Sequence, residues 1–351
     1  MSPRRCRNAR RTGRYLSTAH SQPATVSHMG QSQSEKIQLE ARAGEEHAGQ
    51  RLDQVAAALF DGFSRSRLQT WIKAGALTVN GEPGKPRDKL LGNEQLVLNA
   101  ELQPEVDDEA QPIMLPVVYQ DEQLLVINKP AGLVVHPAAG HADGTLLNGL
   151  LGLDERQANL PRAGIVHRLD RDTTGLMVVA RTLEAHADLV SQLQDKSLFR
   201  EYDAVVCGVM TGGGRVDAPI GRHPRDRKRQ AVTDQGKEAV THYRLQARFR
   251  GHTHIRVRLE TGRTHQIRVH MAHIHYPLVG DPVYGGRLKF PAGAGEALRQ
   301  HLQGFRRQAL HARKLGLIHP ASGDYVEFEA PLPDDMEALL TALRGDMASE
   351  P

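Results

Sequence analysis

GIVHRLDRDTTGLMVVA, residues 164–180, sets two apolar runs around a loop that holds two carboxylates, Asp170 and Asp172, and two guanidiniums, Arg168 and Arg171. By its pattern it reads as strand, polar loop, strand. A charged loop hung between buried strands suits catalytic groups, because the scaffold fixes them while the tip stays accessible. A salt-bridged turn has the same composition. Working outward, LMVVA (176–180) precedes a helical stretch, LEAHADLVSQLQ, and LLVIN (124–128) runs into the turn KPAG. REYDAVVCG is strand-like, and HIRVRLE puts Ile255, Val257 and Leu259 on one side with His254, Arg256 and Arg258 on the other. This mixture predicts an α+β domain with a mixed or largely antiparallel sheet over residues 117–345. No internal repeat is visible.

A second unit precedes it. Between residues 36 and 99, Leu68, Trp71 and Ile72 mark the apolar face of a helix that Ser64 caps and Gly75 closes; Asn80-Gly81 signals a tight turn between two short strands. Arg65 and Arg67 point away from that face and Lys73 follows one turn later, so the helix can lay cations on a phosphate backbone. A solvated basic face is the plainer reading. Residues 100–116, acidic and proline-rich, read as a linker.

The chain has 351 residues, 39% hydrophobic and 25% charged, with no apolar run long enough to span a membrane. Cys6 and Cys207 make neither a disulfide framework nor a zinc site, which points to a reducing, cytoplasmic type of protein. The formal net charge of +4 owes everything to residues 1–28, which hold six arginines and no Asp, Glu or Lys; without them it is −2. Residues 1–28 of this leader (1–35) have the composition of a transit peptide. The preferred expectation is a start placed too far upstream, with Met29 the true beginning, and a disordered or untranslated leader.

In ETGRTHQIRVHMAH (260–273) Thr261-Gly262 joins a strand to a helix with Ile267, His270, Met271 and Ile274 on one face, Arg263 at its start and Arg268 on another side. Arg263 is the candidate partner for Asp170. The 18 histidines include no HExxH or Cys/His ligand pattern, so no metal is expected. RHPRDRKRQ (222–230) is a basic loop; with an RNA substrate, Arg227, Lys228 and Arg229 would clamp phosphate.

HRLDRDTTG, with NKPAGLVVHP (128–137) upstream and REY, GRTHQIRVHM (262–271) and PLVGDPVYG (277–285) downstream, resembles the RluA-type family of pseudouridine synthases. The likeness runs in order from about Gln50 to Pro333. Residues 36–99 resemble the small α-L RNA-binding domain shared with ribosomal small-subunit protein four. The resemblance implies cleavage of the N1–C1′ bond of a uridine, rotation of the base and reattachment through C5, with no cofactor. It gives Asp170 the role of nucleophile or 2′-proton base, Tyr202 that of stacking on uracil near C5, and Arg263 that of the carboxylate's partner. Arg168 would displace the target base, and Ile267 or Val269 would seat it. Asp172, with no matching role, is expected to cap the backbone at Thr174 or Gly175. The implied partner is ribosomal RNA of the large subunit or its precursor particle, met by a monomer. Other rRNA or tRNA uridines, and a non-catalytic RNA-binding assembly factor, are the alternatives; Asp170, Tyr202 and Arg263 together argue against the latter.

Overall fold

The computed structural model describes residues 35–60, 63, 65–102, 108–137, 141–226 and 229–348. Residues 1–34 of the leader, Ser64, Arg227 and Lys228 lie outside the described residues. The N-terminal unit is a four-stranded sheet against two helices. β1 (Glu35–Arg42), β2 (Leu77–Val79), β3 (Glu82–Pro83) and β4 (Gln95–Leu102) pair in the order β1-β4-β2-β3, with α1 (Leu52–Leu59) and α2 (Arg65–Lys73) between β1 and β2. Leu52, Val55, Leu68, Trp71, Ile72, Leu77, Leu96 and Leu98 fill its core. Asn80 and Gly81 both take positive φ at the β2–β3 turn, the geometry a tight hairpin demands. The strand β1 was not anticipated, because EKIQLEAR carries four charges in eight residues and shows little apolar run. With it the sheet extends from Glu35 to Leu102.

The expected linker is only partly one. From residue 109 on, the chain lies against α3 (Leu146–Leu153): the Gln111 N–H donates to the Asn148 carbonyl at 3.0 Å, Asn148 Nδ2 donates to the Glu109 carbonyl at 2.8 Å, and Leu115 is buried.

The larger unit is built on nine strands: β5 (Val117–Gln120), β6 (Leu124–Lys129), β7 (Thr174–Ala180), β8 (Phe199–Cys207), β9 (Gly214–Asp217), β12 (Val240–Arg248), β13 (His252–Leu259), β14 (Leu310–Ile318) and β15 (Tyr325–Glu329). Their order is β5-β6-β7-β14-β8-β13-β12-β9, with β15 on β14. A separate hairpin joins β10 (Ile220–Arg222) to β11 (Gln230–Val232). The runs LLVI and LMVVA are continuous rather than alternating because β6 and β7 are covered on both faces. Leu124, Val126, Leu176 and Val178 pack under α4 (Leu183–Gln194), whereas Leu125, Ile127, Met177 and Val179 pack toward α3. On the far wing Val205 meets α6 (Glu296–Gly304) and α7 (Asp334–Ala348). Among the described residues no helix is long and apolar enough to cross a membrane.

One seam joins the two halves of the sheet. β7 and β14 run parallel and share two residue pairs, Thr174 with His311 and Ala312 with Gly175. Gly175 has φ +114°, and a Cβ there would lie 2.2 Å from the Ala312 carbonyl oxygen, so the seam closes only on a glycine. The run GIVH is not the strand its pattern suggests. Residues 161–164 form a short 3-10 turn with Arg162 and Ala163 left-handed, and Ile165 makes a single bridge to Val179.

Candidate active site

The loop 167–173 enters β7 at this seam and is held from three directions. Lys129, fully buried, donates from Nζ to the carbonyls of Pro130 (2.8 Å), Leu133 (2.9 Å) and Arg171 (2.7 Å), and Gly132 N–H donates to the Arg171 carbonyl as well. Burial pushes the Lys129 amine down to about 7, partly offset by Asp172 and Asp170. Gln308 Nε2 donates to Thr173 Oγ1 at 2.9 Å, and Arg307 Nη1 to the Asp172 carbonyl at 3.2 Å. These contacts explain why KPAG and HRLDRDTTG, some forty residues apart, act as one piece.

The loop presents Asp170 to a cavity of about 540 Å³ lined by Tyr202, Leu259, Ile267, Arg200 and Leu310 among others. Its Oδ2 accepts from Arg268 Nη1 at 2.9 Å; Oδ1 lies 3.8 Å from His265 Nε2. Arg268 is itself fixed by Asp281, with Nε to Oδ2 at 2.7 Å and Nη2 to Oδ1 at 2.9 Å. Burial opposes the Arg268 charge, but the two carboxylates more than offset it and raise its pKa. Burial likewise raises the Asp281 carboxyl, and Arg268 with the N–H groups of Val283 and Tyr284 brings it below its ordinary value. The result is a bidentate pair that aims a third charged contact at Asp170.

This corrects the pairing expected from sequence. Arg263 does not meet Asp170: it is exposed at the cavity rim, where its Nε donates to the Glu238 carbonyl at 2.9 Å. Arg268 holds the place because α5 (Gln266–His273) is buried around its circumference, from Gln266 to Met271, so a position off the apolar face still points inward. Of the two base-seat candidates Ile267 lines the cavity, whereas Val269 turns away to pack on Ile220 and Ala239. Asp172 does not cap Thr174 or Gly175; its carboxylate takes the neighbouring Arg171 guanidinium at 3.0 Å instead.

Tyr202 lies on β8 with its ring buried at the cavity, and burial raises its hydroxyl above the ordinary tyrosine value. Arg168 is exposed at the mouth, together with Arg162. His265 and Tyr284 were missed. The Tyr284 hydroxyl accepts from the Gln230 N–H at 2.9 Å and shares a hydrogen bond with His265 Nδ1, also at 2.9 Å, which orients the ring with Nε2 toward Asp170. Burial lowers the His265 pKa, the nearby Asp170 partly opposing the shift. Asp281 and Tyr284 stand in PLVGDPVYG, a motif quoted above without any role for its side chains.

The expected RNA-binding cations fare unevenly. Lys73 is exposed. Arg65 is committed to the buried Asp53 at 2.8 Å yet keeps 44% of its side chain exposed. Arg67 is not on a solvated face: it is buried over the Trp71 ring at 5.1 Å and donates from Nη1 to the Asn159 carbonyl at 3.4 Å. Arg229 stacks on Tyr284 at 5.3 Å, beside the active site. Among the described residues no group of three or more His, Cys, Asp or Glu side chains gathers as metal ligands would.

Sequence profiles match the chain in two places: that of RNA pseudouridylate synthase over residues 123–273 and that of the S4 domain over residues 50–96. The chain is 61% identical over 313 residues to "Ribosomal large subunit pseudouridine synthase D" of Pseudomonas aeruginosa, covering 89% of this chain and 98% of that protein. It is 55% identical to the protein of the same name from Escherichia coli, covering 89% and 96%. Among solved structures, "Human RNA Pseudouridylate Synthase Domain Containing 4" superposes with a TM-score of 0.53 at 27% identity, over 65% of this chain and 93% of that one.

Proposed function

The chain belongs to the RNA pseudouridylate synthase family, and from that premise we propose that it isomerises uridines of large-subunit ribosomal RNA with Asp170 as the reacting group. The observation that carries the assignment is the carboxylate itself, one oxygen anchored on Arg268 and the other turned to a cavity walled by Tyr202 and Ile267. Oδ1 can attack C1′ or take the 2′ proton; in either route the N1–C1′ bond breaks and its electron pair leaves with uracil. The base then turns and C5 bonds to C1′ as the Oδ1–C1′ bond breaks or, in the other route, as the 2′ proton returns; the C5 proton is lost, N1 is protonated and the carboxylate is restored. Atoms balance without water or a co-reactant.

Tyr202 gives the uracil ring a stacking surface in the cavity and Ile267 an apolar seat, while Arg168 at the mouth takes part in drawing the target nucleotide from its stack. Arg263, at the rim, is assigned to the RNA rather than to the carboxylate. The S4-type unit adds phosphate contacts through Lys73 and Arg65, Arg229 adds another next to the site, and Arg227 and Lys228 are assigned to phosphate from the basic sequence of their loop. The names of the similar bacterial proteins support ribosomal RNA, free or in a precursor particle, as the partner. A cytoplasmic monomer meets that role. The test is tritium release from ribosomal RNA labelled at uracil C5. Asp170→Asn should abolish it and leave RNA affinity unchanged or raised; activity within about tenfold of wild type removes Asp170 from the mechanism.

A further inference from the structure

Arg200 is 94% buried by its relative exposure of 6%, and it lines the same cavity as Asp170 and Tyr202. Among the described residues no carboxylate pairs with it; its Nε has no hydrogen-bond partner and its Nη2 reaches only the Glu260 carbonyl at 3.5 Å. The carboxylates beside it in sequence cannot help, because β8 alternates. Glu201 and Asp203 are on the opposite face, engaged with Arg256, Arg313 and His254. On its own face Arg200 meets His167, which accepts the Val178 N–H through Nε2, and the tyrosine. Space has been left for the guanidinium: a Cβ on Gly262 would lie 2.7 Å from Nη1. Burial lowers the Arg200 pKa, so the charge is held there at a cost.

A buried cation without an anion is expensive in the resting protein and useful where negative charge develops. We infer that Arg200 is a catalytic residue that receives the negative charge of the uracil ring when the N1–C1′ bond breaks. This rests on the assignment of Asp170 above. Whether Oδ1 bonds to C1′ or takes the 2′ proton, the carboxylate loses its charge and the leaving base, with the electron pair spread over N1, O2 and O4, gains it. Arg268 is spent on Asp170 and Asp281 and stays with the carboxylate. Among the described residues that line the cavity, Arg162, Arg168 and Arg263 are exposed at its mouth and rim, whereas Arg200 is buried beside the ring on which the base stacks. Its contribution is present after cleavage and small before it, so it lowers the barrier rather than tightening binding.

The test is single-turnover conversion of a ribosomal transcript, with affinity measured separately by filter binding. Arg200→Met should slow conversion about 10²- to 10³-fold, the loss seen when one donor to a developing anion is removed, with affinity within about threefold of wild type. Its melting temperature should hold or rise, because an apolar chain replaces an unpaired buried charge. A merely structural Arg200 would give the reverse, a lowered melting temperature with a normal rate well below it. Gly262→Ala, which displaces Nη1 without removing it, should show a smaller loss of rate at unchanged affinity. A transcript with 6-azauridine at the target keeps C5–H but stabilises the base anion through its ring nitrogen. On it the gap between wild type and Arg200→Met should shrink by about tenfold or more. A rate for Arg200→Met within about threefold of wild type, or an undiminished gap on the aza substrate, overturns the inference. Wild-type protein that converts no ribosomal transcript overturns the proposed function instead, so the two failures are told apart.

Discussion

Gly175→Ala places its perturbation at the two-pair seam. The added Cβ would meet the Ala312 oxygen at 2.2 Å, its nitrogen at 2.5 Å and its carbonyl carbon at 2.7 Å, all backbone atoms that cannot swing aside. Ordinary contact begins near 3.4 Å, so β7 and β14 must part by roughly 1 Å. The backbone conformation, φ +114°, adds strain of about 1–3 kcal/mol for a residue with a Cβ, and overpacking adds about 1–3 kcal/mol. The expected destabilisation is therefore about 2–6 kcal/mol, or very roughly 4–24 °C in melting temperature for a unit of this size. Asp170 rides on the β7 side of the seam and Tyr202 on the β8 side. A displacement of that size between reacting groups costs about 10² in rate. Circular dichroism melting and single-turnover tritium release measure the two effects on one sample. Gly323→Ala is the control: φ is +71° with nothing within 4 Å of the new Cβ. It should lose about 1 kcal/mol or a little more and no rate. A Gly175→Ala protein with wild-type rate and a melting temperature no lower than that control would refute the idea that the seam sets the site.

Arg268→Gln should abolish turnover and destabilise by about 3–5 kcal/mol, since it strands the buried Asp281, whereas Arg263→Gln should keep its single-turnover rate; denaturant melts and tritium release decide. Asp172→Asn removes a surface pair with Arg171 and should change stability by no more than about 1 kcal/mol at an unchanged rate, again by denaturant melts. Burial raises the Asp53 carboxyl, but hydrogen bonds from Arg51, Arg65 and Gln69 outweigh it and bring it from 3.8 down to about 2. That stabilisation is therefore complete above pH 3.8 and lost as pH falls through about 2. Fluorescence of Trp71, the chain's single tryptophan, should report an N-terminal stability that falls as pH is lowered across this window in wild type and changes less in Asp53→Asn.

What the sequence disclosed followed from local physics. α4 ran over the expected residues, Leu183–Gln194, with Thr182 accepting the Ala185 N–H as its cap; the strands around it were legible because burial on both faces leaves unbroken apolar runs. Arg268 was hidden because a helical wheel assumes a solvent side, and α5 has none to speak of. Arg67 was expected to point away from the apolar stripe, but its guanidinium lies over Trp71 of that stripe and reaches the carbonyl of Asn159, a contact 92 residues away that no helical spacing records. Asp281 and Tyr284 depend on a turn meeting a helix that precedes it, a tertiary fact with no local period. Arg200 was invisible for the opposite reason: what marks it is a missing partner, and no spacing records that.

The chain from Asp170 through Arg268 to Asp281 also behaves as a small electrical device. With both carboxylates ionised it carries one net negative charge, concentrated at the open end where substrate arrives, while its far end is tied into backbone N–H groups that do not move. On the proposed chemistry the open end discharges when Asp170 is consumed, the remaining Arg268–Asp281 couple is neutral, and the charge reappears on a base a few bond lengths away. The cavity thus acts as a closed circuit: charge is passed across it and returned within one turnover, and bulk water need neither supply nor remove a proton while the base is loose.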